Sequence, residues 1–158
     1  MVGLVVVLLL QERSQDIERA REATRLLADR GAQQQAQIVQ QARSVLQLLT
    51  LVPDIREASP RRCATLLKQA TDLYPWASGF GVFNPDGRLL CSSNDNRPAN
   101  LAERDYFQKA LATRDFTVSN FLIGQNSKQP RVVAALPILG DDGSVIRVLV
   151  GGVDLSWL

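Results

Sequence analysis

Apolar positions along this chain change their spacing repeatedly, and each change marks an element. Val2 to Leu10 is an unbroken uncharged run, and the first charges are Glu12 and Arg13. As a helix this run rises about 14 Å, under half of a ~30 Å hydrocarbon core. Three readings stay open for residues 1–10: the carboxyl half of a transmembrane helix that begins earlier, the apolar stretch of a signal sequence, or a buried helix end. A uniformly apolar run that turns abruptly into charged helix suits a chain leaving a bilayer.

Over residues 11–52, and most clearly from Ser14, the spacing is that of one long helix. Ile17, Ala20, Thr24, Leu27, Gly31, Ile38, Val45, Leu48 and Val52 recur at threes and fours, a stripe that faces a partner. Gln33, Gln34, Gln35, Gln37, Gln40 and Gln41 interrupt the seam, unlike a strong coiled coil. Such a helix exceeds what a domain of this size needs for its own core. Its second half is expected to pack on the domain. Its first half is expected to stand as a stalk and pair with another copy, giving a homodimer.

Pro53 ends the long helix, and residues 53–158 read as the folded module. Ser59 and Pro60 look like the N-cap and first turn of a second helix, Arg61 to Leu73, with Leu66, Leu67, Ala70 and Leu73 on one face. After Pro75 the period drops to two. Ala77 to Phe83 is a strand, Asn84-Pro85-Asp86-Gly87 a turn in which proline sets φ and glycine closes, and Arg88 to Ser93 the returning strand. Asn100 and Glu103 stand three apart before an apolar run, a capping-box pattern that predicts a helix over Leu101 to Ala112. Phe116 to Ile123, Arg131 to Leu139 and Ser144 to Asp154 read as strands. Gly140-Asp141-Asp142-Gly143 joins the last two, and Pro137 is expected at an edge or bulge. The order predicts an α+β fold: a long N-terminal helix, then a five-stranded antiparallel sheet with helices packed on it.

Composition narrows the chemistry. The 158 residues are 46% hydrophobic and 22% charged, which excludes a disordered chain and a polytopic membrane protein. A net charge of +2 gives nucleic-acid binding no support. Histidine is absent, which removes Ser-His-Asp and Cys-His catalysis, His-ligated zinc and a phosphoaccepting histidine within these residues. Two cysteines are too few for a four-cysteine metal site. Ser92, Ser93 and Ser119 have no histidine base, and the glycine turns join strands rather than open helices as phosphate loops do. A non-enzymatic binding or sensing module without cofactor or metal is the expectation.

NLAERDYFQKA (Asn100 to Ala110), then FTVSNFLIG, then the hairpin ending VLVGGVDLSWL, together with GFGVFNPDGRLLCSS, resemble in order the bacterial Cache sensor domains. These are PAS-like extracytoplasmic ligand-binding modules of membrane receptors. The resemblance spans roughly residues 14–158 and is nearest to the membrane-distal module of double Cache domains. It implies a PAS-like sheet in the periplasm, anchored in a bacterial inner membrane, in a receptor with a diguanylate cyclase, histidine kinase or chemotaxis output. It also implies a small-molecule site between the concave sheet face and a helix-loop cover. There Arg104 would hold a ligand carboxylate through bidentate, charge-assisted bonds. Tyr106, Phe107 and Phe121 would wall the pocket, and Asp154 on the last strand would meet an amine. Phe121 lacks the hydroxyl and Ile123 the carboxylate of the amino-acid-binding version, so an organic acid or similar carboxylate is the expected ligand. Structural roles compete at each position: an ion pair of Arg104 with Glu103, Asp105 or Asp154, core packing for Tyr106 and Phe107, and strand-end capping for Asp154.

The implied oxidising compartment favours a disulfide between Cys63 and Cys91, pinning the second helix to the hairpin; two separate buried thiols are the alternative. For the whole, a ligand-sensing input domain stands against a non-sensing, membrane-anchored dimerisation or protein-interaction domain with a degenerate pocket.

Overall fold

A computed structural model describes residues 2–57, 59–95, 97–120, 122–123 and 129–157. The chain divides into two units, residues 1–36 and 37–158. Helix α1 (Val2–Thr50) makes up the described part of the first unit and opens the second. In the first unit Leu4, Ile17, Leu26 and Leu27 are all exposed. Among the described residues no helix is long and apolar enough to cross a membrane.

Within the second unit, Ile38, Ala42, Val45, Leu46 and Leu49 of α1 recur at threes and fours and are buried. Leu48, placed on the buried stripe by its spacing, is instead 63% exposed. The buried face is centred on Leu46, whose Cδ2 reaches the sheet at Gly151, 3.6 Å from where a Cβ there would stand. Pro53 does more than stop α1: it begins a short helix, α2 (Pro53–Arg56), that buries Ile55. Helix α3 (Pro60–Leu73) has Ser59 at its N-cap and Pro60 in its first turn, although the serine side chain makes no capping bond. It buries Cys63, Leu67 and Ala70, whereas Leu73, at the end where the chain leaves for the sheet, is exposed.

Strands β1 (Ala77–Phe83), β2 (Leu89–Ser92), β3 (Thr117–Val118), β4 (Leu122–Ile123), β5 (Pro130–Leu139) and β6 (Val145–Asp154) form one antiparallel sheet. The order is β2-β1-β6-β5-β3, with β4 also paired to β5. Five positions across the sheet match the expected architecture, but the strand expected over 116–123 is split. Ser119 breaks it: its Oγ accepts the Val133 N–H while its own N–H donates to the Val133 carbonyl. The register then shifts by one residue between Val118↔Ala134 and Leu122↔Arg131. Pro137 lies beyond the β3 pairing, where β5 has a described neighbour only in β6, so its missing N–H costs no ladder bond there.

Strand alternation gives the sheet two faces. Phe80, Val82, Val132, Ala134, Ile138, Leu149 and Val153 pack with α3 and the second-unit part of α1. Phe83, Val133, Ala135, Val148 and Val150 pack with Phe107 and Ala110 of helix α4 (Asp105–Thr113). Cys63 of α3 and Cys91 of β2 are joined by a disulfide, with Cα atoms 6.1 Å apart.

The expected capping box is overturned. Asn100 Oδ1 accepts the Ala102 N–H in a turn of its own, and the Leu101 N–H is taken by the Gly87 carbonyl. Leu101 is thereby outside the helix, and α4 starts at Asp105 with Arg104 as its N-cap residue. That docking explains Gly87, which sits at φ +90°; a Cβ there would stand 2.5 Å from the Ala102 nitrogen. Gly87→Ala is expected to destabilise the fold by more than ~1 kcal/mol. Urea unfolding measures it, and an unchanged midpoint would mean that the turn and the 100–102 segment move apart freely.

Candidate functional site

The site grows from a bare patch of sheet. Gly79 and Gly152 are paired partners on β1 and β6, and Gly152 also faces Val133 of β5. Gly152 lies on the α4 face with Val133, its β5 partner, and a Cβ there would meet Ser78 Oγ and stand 3.8 Å from Arg97 Nη2. A Cβ on Gly79, at φ +132°, would stand 2.6 Å from Asn94 Nδ2, 2.8 Å from Ser93 Oγ and 3.1 Å from Arg97 Nη2. The guanidinium of Arg97 thus lies across two neighbouring strands where neither carries a side chain.

The loop after β2 holds Arg97 there. Ser93 Oγ accepts the Phe80 N–H, the Ser93 N–H donates to the Phe80 carbonyl, and Asn94 Nδ2 donates to the Ser78 carbonyl. Arg97 Nη2 is buried and has no hydrogen-bond partner among the described residues. Burial lowers the Arg97 pKa to about 10, with the Arg131 charge adding to that and Tyr106 opposing it.

Arg131 and Asp154 face each other on β5 and β6 and share the α4 face with Gly152, by alternation from Val133 and Val150. Both are half-buried. Asp154 Oδ1 accepts two bonds from Ser156, from its N–H at 2.9 Å and its Oγ at 2.6 Å, which caps the turn after β6.

The residues singled out from the sequence are placed as follows. Tyr106 is half-buried and packs against the core under α4. Burial raises its phenol pKa, opposed by the positive charges of Arg104 and then Arg97, so the three groups share one electrostatic neighbourhood. Arg104 itself is exposed, at the start of α4. Phe107 is fully buried, 6.2 Å from Phe83 in an edge-to-face pair. Asp154 lies on the same face as Arg97, through its ladder neighbours. Phe121 lies outside the described residues.

Sequence reasoning missed Arg97 and Arg131. The first stands in a polar loop with no periodicity, and the second reads as an ordinary strand start. The signal available was the run of unpatterned glycines, Gly79, Gly151 and Gly152, on strands otherwise rich in bulky residues, which marks close approach of another group to the backbone.

Comparison with known proteins places this arrangement. The sensor domain of the V. cholerae histidine kinase DctB superimposes with a TM-score of 0.64 and 22% identity, covering 81% of this chain and 53% of that one. The ligand-binding domain of the Campylobacter jejuni chemoreceptor Tlp3, in complex with 4-methylisoleucine, gives a TM-score of 0.60 and 19% identity over 75% of this chain and 52% of that one. Sporulation kinase D of Bacillus subtilis is 25% identical over 104 residues, which are 65% of this chain and 21% of that protein. The chain therefore spans about half the length of these solved domains and about a fifth of the kinase. The profile of the Cache domain family, dCache_1, matches residues 13–158. A match over nearly the whole chain, on a sheet and helices of this form, makes it a member of the Cache family of sensor domains.

Proposed function

We propose that this chain is the extracytoplasmic, ligand-sensing input domain of a bacterial transmembrane receptor with a histidine kinase, diguanylate cyclase or chemoreceptor output. In this reading it is the membrane-distal module of a double Cache domain. It lies in the periplasm, held to the inner membrane through residues 1–10 and dimerised through the first unit of α1. The apolar Leu4 and the exposed Ile17, Leu26 and Leu27 support that placement, because such side chains are costly to leave in water.

The ligand is a small carboxylate. One observation carries this: Tyr106, half-buried on the α4 face, lies in the field of both the Arg104 and the Arg97 guanidiniums. A phenol beside two cations on a covered sheet face offers an anion one hydroxyl donor and strong charge complementarity. Arg104 and Tyr106 contact the carboxylate, and Phe107 and Phe121 belong to the wall. Asp154 lies at the edge of the site.

A thermal-shift series of organic acids and amino acids against the purified chain tests this. At a hundredfold excess over Kd, a ligand stabilises by about 2.7 kcal/mol. In a domain of this size that raises Tm by roughly 5–10 °C. Arg104→Ala is expected to remove the rise and to leave the unliganded Tm within about 2 °C, since the residue is exposed. If no carboxylate moves the Tm, the sensing account falls and an interaction domain with a degenerate pocket takes its place.

A further inference from the structure

We propose that segment 114–118 is a strap that couples α4 to the second-unit part of α1 around the β3 edge of the sheet, and that Arg43 is its point of attachment on α1. The two helices pack on opposite faces of the sheet, so a route between them is a property of the fold in its own right. The coupling goes beyond the sensing reading above. It needs no ligand, and neither does its test, so either can fail alone. Three observations carry it.

The first is the course of the chain. Helix α4 ends at Thr113, and Arg114 takes the left-handed position at φ 54° that turns the chain out of the helix. Thr117 then pairs with Ala135, which packs on the α4 side, and Val118 with Ala134, which packs on the α1 side. Phe116 and Val118 both pack against the cluster that holds Ile38, Ala42 and Leu46 of α1. Three successive side chains thus alternate between the two layers.

The second is the pair of attachments. Buried Thr117 donates its hydroxyl to the Tyr106 carbonyl of α4 at 2.9 Å. On the other face the Arg43 guanidinium carbon stands 5.4 Å from the centre of the half-buried Phe116 ring, and Nη2 is 3.6 Å from Asp115 Oδ1. The same Oδ1 accepts the Phe116 N–H at 2.7 Å, which fixes the turn that presents the ring. The ion pair is exposed and contributes little alone; the cation over the ring gives the contact its direction.

The third is the slightness of β3. It has two residues and two ladder partners, both on β5, at the end of the strand order. An edge with so few ladder bonds opens before the centre of the sheet does. Its position is therefore set by its attachments to the two helices, and a shift at one attachment reaches the other. The approach to α4 is tied elsewhere, to the β1–β2 turn through the Leu101 N–H and the Gly87 carbonyl. The strap accordingly governs the carboxyl end of α4.

Amide hydrogen exchange of the purified chain tests the coupling, with Arg43→Met, Thr117→Val and, as a control, Gln47→Ala at an exposed position of α1. Arg43→Met is expected to speed exchange over residues 107–114 at least ~5-fold, although the substituted side chain lies on the other face of the sheet. Coupling is reciprocal, so Thr117→Val is expected to speed exchange over residues 38–49 by a similar factor. Amides of β1 and β6 should keep their rates in both variants, and the control should change neither helix. A stability role alone would not produce that selectivity. Four results would overturn the proposal: an effect of Arg43→Met confined to α1 and residues 115–118, unchanged exchange over 38–49 in Thr117→Val, a uniform rise that includes β1 and β6, or an equal rise in the control.

Discussion

Replacing Cys63 and Cys91 together by alanine is expected to lower the stability of the second unit by about 3–4 kcal/mol. The bridge closes a chain segment of 28 positions, and loop entropy in the unfolded state accounts for nearly all of that figure. In native terms it ties α3 to β2, the edge strand of the sheet, so the hairpin depends on it more than the centre does. Both sulfurs are buried, and the alanine pair therefore leaves a small void as well. Tm should fall by roughly 10 °C. Thermal unfolding of the double variant, and of the parent with reductant, measures it. Coincident curves in all three samples would show that the link contributes nothing to stability.

Phe107→Ala is expected to cost about 3–5 kcal/mol, the range for removing a fully buried phenylalanine. The ring has no exposed surface, meets Phe83 edge-to-face and lies against the strands through the core that holds α4 in place. Packing sets this cost in the unliganded protein. Urea unfolding without ligand is the measurement. A cost below ~1 kcal/mol would mean that α4 is held by something other than this core.

Most of the architecture was legible because hydrophobic period and turn chemistry agreed. β1 and the Asn84–Gly87 turn were read to within a residue, and so was the β5–β6 hairpin, since glycine at positive φ and alternating side chains signal the same thing. The misreadings lie where a polar side chain took up a backbone group that periodicity assigned to an element. Asn100 captured the Ala102 N–H, which delayed α4 by four residues, and Ser119 captured the Val133 N–H, which cut a strand in two. The end of α4 carried no glycine mark, because Arg114 itself takes the left-handed position at φ 54°.

The site was legible only in part. Arg104 and Tyr106 stood in a recognisable run, and Asp154 closed the last strand. Arg97 could not be seen, because its placement comes from a loop folded over glycines that are distant in sequence. Long-range placement of that kind leaves no local period.

The sheet is a single backbone thick where two glycines follow each other on β6. Gly151 turns to α1, where a Cβ would meet Phe80 at 3.0 Å and Leu46 at 3.6 Å; Gly152 turns to Arg97 on the opposite side. With no side chain on either residue, only the thickness of one strand separates the Arg97 guanidinium on one surface from Phe80 and Leu46 on the other. A side chain added at either glycine would therefore press on a different layer of the fold, Gly151 on the α1 side and Gly152 on the Arg97 side.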